Sequence, residues 1–99
     1  MSLTVRILTS ADAGGPAVVL TGELDLAAAD GVTAALDQVA AERPDRVVVD
    51  AEGITFCDSS GLRSLLAAPG PNPVVLRSPS ARLRRVLEMT GLSDRFETI

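Results

Sequence analysis

The run Val47-Val48-Val49 constrains this chain more than any other segment. Three β-branched residues in succession disfavour a helix, and an unbroken apolar run suits a strand in the middle of a sheet with both faces covered. A central strand is therefore expected over residues 46–51, closed by Asp50 and followed by a loop from Glu52 to Asp58. The flanking patterns show what surrounds it. Leu3, Val5 and Ile7 alternate with Thr4 and Arg6, the period of a half-buried strand over Leu3 to Thr9. Gly14-Gly15-Pro16 then turns the chain into a second strand, Ala17 to Thr21, so the first two strands should form an antiparallel hairpin.

From Leu26 to Glu42 the apolar period lengthens to that of a helix, with Val32, Leu36, Val39 and Ala40 on one face, Asp25 placed to cap the start and Pro44 beyond the end. A second helix opens near Ser59 and carries Leu62, Leu65 and Leu66; Pro69 to Pro73 forbid its continuation beyond Ala68. Val74-Val75-Leu76 reads as another buried strand. Ser78-Pro79 supplies a cap and a first-position proline for a third helix with Leu83, Val86, Leu87 and Thr90 on one face, stopped at Gly91. The order of two strands, helix, strand, helix, strand, helix predicts an α/β fold, a single domain over 1–99 with a mixed sheet packed against helices.

Composition narrows the chemistry. The 99 residues contain no His and no Lys, one Cys, and 2% aromatics within a hydrophobic content of 46%. The core must be aliphatic. Without His there is no Ser-His or Cys-His nucleophile and no imidazole ligand, and without Lys there is no Walker A loop or Schiff base. One Cys makes no internal disulfide, and the amino terminus lacks a secretory pattern, so a cytoplasmic protein is expected. No stretch approaches a membrane span, and an acidic balance of 9 basic to 13 acidic residues argues against nucleic acid. The charge is uneven: residues 1–60 hold three Arg and ten acids, residues 61–99 six Arg and three acids. Solvated surfaces account for both halves more simply than a partner field does, and Arg82, Arg84 and Arg85 read as the wet face of the third helix.

Asp25, Asp50 and Asp58 raise the question of a carboxylate enzyme or a divalent metal site, but their spacing fits no metal loop. Catalysis ranks below binding, and a small carboxylate-dependent enzyme remains the reading of last resort, with no catalytic residue, cofactor or metal expected. Cys57 sits beside Asp58, which opposes thiolate formation, so it reads as a small buried residue.

Four segments together resemble the STAS domain family: Gly22-Glu23-Leu24-Asp25, the strand ending Val49-Asp50, the block Phe56-Cys57-Asp58-Ser59-Ser60-Gly61-Leu62, and Leu87-Glu88-Met89-Thr90-Gly91-Leu92. The chain looks like the free-standing anti-sigma factor antagonists of that family. The resemblance implies a protein that binds an anti-sigma factor, itself a serine kinase, and so frees a sigma factor. It also implies phosphorylation of the first serine of the block, here Ser59, which ends that binding, with a serine phosphatase as a further partner. By the same resemblance Asp25, Asp58, Ser60 and Gly61 line the phosphorylation site. Taken without the family, those residues read equally well as structural parts: Asp25 and Asp58 as caps, Ser60 as a first-turn residue and Gly61 as a close-packing one. A non-phosphorylated scaffold subunit of a transport or signalling complex is the alternative function. The chain departs from the family where Pro69 to Pro73 cut short the helix after Ser59, which alters the docking side of the domain.

Overall fold

The computed structural model describes residues 3–8, 16–42, 46–66 and 74–99. In chain order these form β1 (Thr4–Leu8), β2 (Ala17–Leu24), a 3-10 turn (Leu26–Ala28), α1 (Ala29–Ala40), β3 (Val47–Cys57), α2 (Ser59–Leu66), β4 (Val74–Arg77), α3 (Ala81–Thr90), a second 3-10 turn (Ser93–Arg95) and β5 (Glu97–Thr98). The Gly14-Gly15 turn, the Pro44 stop and the Pro69 to Pro73 break lie outside the described residues.

The strands lie in the sheet in their sequence order, β1-β2-β3-β4-β5, with β3 in the middle as the valine run requires. The hairpin pairs Thr4 with Thr21 through Leu8 with Ala17, antiparallel. Every later neighbour is parallel. Parallel neighbours need crossovers, and crossovers are right-handed, so strands that advance in one direction drop all their connecting helices on the same face. The core follows this rule. Val32, Leu36 and Val39 of α1, Leu62 and Leu65 of α2 and Leu83 and Leu87 of α3 form one buried cluster with Val18, Leu20, Val47, Val49 and Leu76 of the sheet.

All three valines of the run are buried, as expected of a central strand with both faces covered, although the described helices lie on one face only. Val48 lies in register with Ala17 and Val75 on the face opposite the helices; all three are buried, yet they stand outside the main cluster. One residue row further on, Asp50 and Arg77 face each other across β3 and β4, with Nε to Oδ2 at 3.4 Å. Asp50 is thus a mid-strand residue and does not close β3.

Both β2 and β3 are longer than expected, running to Leu24 and Cys57, and the loop proposed from Glu52 is strand. The register shifts twice, between Val19 and Thr21 and between Gly22 and Glu23, and Gly22 takes a φ of +112° that only glycine adopts without strain. These bulges interrupt the alternation on which a strand is recognised, leaving Glu52, Thr55 and Phe56 all exposed. Two further corrections concern the C-terminal third. Ser80, not Ser78, caps α3, its hydroxyl accepting the Leu83 N–H at 3.2 Å, while Ser78 sits at a φ of +50°. A fifth strand, absent from the expected order, follows α3 and pairs Val75 with Glu97 and Leu76 with Thr98. Gly91 ends α3 at a φ of +72°, as expected. Among the described residues no helix is long and apolar enough to cross a membrane.

The two faces of the sheet should respond differently to cavities. Leu87→Ala empties part of the main cluster and is expected to cost about 2–4 kcal/mol. Val48→Ala, on the face opposite the described helices, removes two methyl-sized groups and is expected to cost about 1–2 kcal/mol. Urea denaturation of both variants measures the difference, and equal costs would show that the face opposite the helices is packed as tightly as the core.

Candidate functional site

The carboxyl ends of β2 and β3 are register partners, Leu24 against Cys57, so the residues that follow, Asp25 and Asp58, leave the sheet at the same edge. The Asp58 N–H donates to the Leu24 carbonyl at 3.2 Å, which ties the exit of β3 to the end of β2. The Asp58 carboxylate then turns into the chain ahead and accepts the Gly61 N–H at 2.7 Å, while its carbonyl accepts from Leu62 at 3.0 Å. Asp58 is the cap of α2. Asp25 plays the same part for the first 3-10 turn: its Oδ1 accepts the Ala28 N–H at 3.0 Å. That turn packs against α2, bringing the two capped segments together.

Ser59, the first residue of α2, is exposed, and Ser60 behind it is half-buried. Gly61 is buried against β2. A Cβ at this position would overlap the carbonyl carbon and oxygen of Leu24 and crowd its side chain, so the absence of a side chain lets α2 seat here. The Ser64 hydroxyl, also buried, donates to the Gly61 carbonyl and closes the same turn from within. The structure thus gathers Asp25, Asp58, Ser59, Ser60 and Gly61 at one edge, and it shows the two carboxylates engaged as caps.

Cys57 is buried, and its Sγ lies 3.4 Å from the Asp58 carbonyl oxygen. Burial, and secondarily the Asp58 charge, push the thiol up to about 11. A neutral thiol at ordinary pH is no nucleophile. Among the described residues no three His, Cys, Asp or Glu side chains are grouped to hold a metal ion. On α3, Arg82, Arg84 and Arg85 are exposed, and Arg84 donates from Nε to the Pro79 carbonyl at 3.1 Å.

The family model described as Mlab, STAS domain matches residues 7–98. The chain belongs to the STAS domain family. An anti-sigma factor antagonist from Mycobacterium paratuberculosis, known from a crystal structure, is similar to this STAS domain at 30% identity and a TM-score of 0.75, over 98% of this chain and 85% of that one. Two structures of SpoIIAA share its fold at 23% identity each. The anti-sigma factor antagonist SpoIIAA in its unphosphorylated form has a TM-score of 0.67 over 99% of this chain and 88% of its own. The Bacillus cell fate determinant SpoIIAA in the phosphorylated form has a TM-score of 0.51 over 99% and 91%. No curated protein sequence matches the chain significantly.

Two glycines of this STAS domain provide a paired test of the seat of α2. Gly61→Ala should destabilise the fold by about 1–3 kcal/mol, because the new methyl meets backbone. Gly31→Ala, on the exposed side of α1 with nothing within 4 Å, should stabilise it by about 0.5–1 kcal/mol through helix propensity. Thermal melts of the two variants should move in opposite directions; a Gly61→Ala melt that matches wild type would mean that α2 is free to shift away from β2.

The thiol provides a second test. A folded-state value raised above the unfolded one makes a stability contribution that is present below about 9 and lost as pH rises through about 11. Stability should therefore fall across that window in the wild type and fall less in Cys57→Ala, as read by denaturation at stepped pH. Labelling with Ellman's reagent at pH 8 should be slow until the protein is unfolded; fast labelling of the native protein would contradict the burial of Cys57.

Proposed function

We propose that this STAS domain is an anti-sigma factor antagonist whose binding to an anti-sigma factor is switched at Ser59. The observation that carries the reading is the placement of Ser59. It is an exposed hydroxyl on the first turn of a helix whose N-terminus is clamped to the sheet by Asp58 and Gly61. The 30% identity to an anti-sigma factor antagonist over 98% of the chain supports the biological assignment.

The physics of such a switch follows from the helix end. Backbone N–H groups of the first turn lack partners within the helix, and the helix dipole favours negative charge there, so a phosphate on Ser59 is tolerated by the fold. A partner docked over the same spot is not indifferent. Phosphorylation adds about −1.5 to −2 charge and three acceptor oxygens beside Asp58, which an apposed protein surface must either pair or exclude. The partner in this reading is an anti-sigma factor with serine kinase activity. A serine phosphatase resets the switch. Asp25, Asp58, Ser60 and Gly61 fix the acceptor in place and perform no chemistry of their own.

Ser59→Ala should keep the fold and bind the anti-sigma factor whether or not ATP is present. Ser59→Asp should fold equally well and bind on the order of a hundredfold more weakly, a partial loss because aspartate has less charge than phosphoserine and lacks its tetrahedral oxygens. Incubation with the cognate kinase and ATP, followed by mass-spectrometric site mapping, locates the phosphate. Modification at Ser60 with Ser59 bare, or equal affinities for the Ala and Asp variants, would favour a non-phosphorylated scaffold.

A further inference from the structure

The outer face of α3 is charged against the field of its own helix. Arg82 and Arg84 lie in the first turn and Arg85 just beyond it, with no acidic residue in that turn, although the positive end of a helix dipole favours acids. Arg82 and Arg85 are exposed, and no acid of the described residues pairs with either; Glu88 is the lone acid alongside three arginines on this helix. The arrangement works against the fold in a chain that carries 13 acids to 9 arginines.

Next to these arginines is a half-open cleft of about 210 Å³ between α3 and the β5 edge, lined by the buried side chains Leu87 and Phe96 together with Arg84, Glu88, Ser93 and Thr98. Arg84 and Glu88 also border the shallow surface that continues over Arg85 to Met89, which is 76% exposed. Cleft and arginine face are thus one continuous surface. It belongs to a different part of the fold from Ser59: α3 packs on β3 and the second 3-10 turn, whereas α2 packs on α1 and the first.

We propose that this surface is a second docking site, for an acidic protein segment that inserts one large apolar side chain into the cleft and lays its carboxylates across Arg82, Arg84 and Arg85. Charge complementarity selects the acidic partner, and Pro79, Leu87 and Phe96 within the otherwise polar lining of the cleft offer the contacts for the anchor. Binding here does not depend on the state of Ser59.

The test uses the full chain and fluorescein-labelled peptides of about a dozen residues, Glu-rich with a central Trp, read by anisotropy at low salt. The Glu-Trp peptide should bind, a Lys-rich counterpart should not, and exchange of Trp for Gly should weaken binding. The double variant Arg82→Glu, Arg85→Glu should lose about tenfold or more in affinity, the scale expected for reversed charge at an interface. Arg82→Glu alone should melt no lower than wild type, because acids suit the first turn of a helix. Arg82→Gln with Arg85→Gln should weaken binding to a lesser degree and provides the readout should the double reversal fail to fold. Ser59→Asp should bind the peptide with wild-type affinity. Equal binding of the Lys-rich and Glu-rich peptides, equal binding of the Trp and Gly versions, an unchanged affinity in the arginine variants or a loss in Ser59→Asp would overturn the proposal.

Discussion

The approach of Gly61 to the Leu24 backbone governs the geometry of the candidate functional edge. An α-helix normally packs on a sheet through side chains, at a distance that leaves its first turn some freedom to slide. Here the helix comes close enough to touch main chain, and the residue at the contact has no side chain to hold it off. Two hydrogen bonds from one residue complete the joint: Asp58 donates to the Leu24 carbonyl from its N–H and caps Gly61 with its carboxylate. A cap of this kind is worth about 0.5–2 kcal/mol. Its greater consequence is positional, because it fixes the rotation of α2 about its axis and so decides that Ser59 faces solvent and Leu62 and Leu65 face the core.

The rest of the architecture follows from strand order. Strands that advance steadily from β1 to β5 place the helices on one face and leave the other face of the sheet to small and polar rows, Ala17-Val48-Val75 and then Val19-Asp50-Arg77. The core of a chain with 2% aromatics is filled mainly by aliphatic side chains, joined by Phe96, and the cluster draws on each of the three helices and the inner strands. The carboxyl ends of the parallel strands then gather the connections on which binding sites of such sheets are built. Asp25 and Asp58 occupy neighbouring exits at that edge.

How much of this was legible in the sequence depended on whether one residue's neighbours along the chain were enough to fix its state. Val47-Val48-Val49 announced the central strand, Asp25 the start of the first helical segment and Gly91 the end of α3, because β-branching, a short carboxylate and a missing Cβ act locally. The second half of β3 was hidden, since bulges against β2 break the alternation that betrays a strand, and pairing with β2 is a long-range fact. β5 was hidden for a similar reason: two exposed residues, Glu97 and Thr98, carry no pattern and are strand only because β4 offers an open edge. Ser78 looked like the better cap because proline follows it, yet the helix waits for Ser80. At the site, the block from Asp58 to Leu62 marked a helix start, and the close-packing role weighed for Gly61 agrees with its contact; that Leu24 was the residue it would meet could not be read from either segment alone.

In the proposed reading, the clamp lets the fold carry a charge switch on its surface without becoming one internally. A phosphate on the proposed acceptor, Ser59, adds negative charge next to a carboxylate, which by itself disfavours the modified state. The helix end offsets that repulsion, since the N–H groups of the first turn and the dipole behind them favour anions. Asp58 already holds the Gly61 N–H, so its own charge is partly satisfied where it stands. Because the seat of α2 rests on Gly61, Leu24 and Ser64, none of which is exposed, the added charge leaves those contacts in place and acts outward. The free-energy change of modification is therefore directed at whatever covers Ser59, and a binding equilibrium can be moved by orders of magnitude while the folding equilibrium barely shifts.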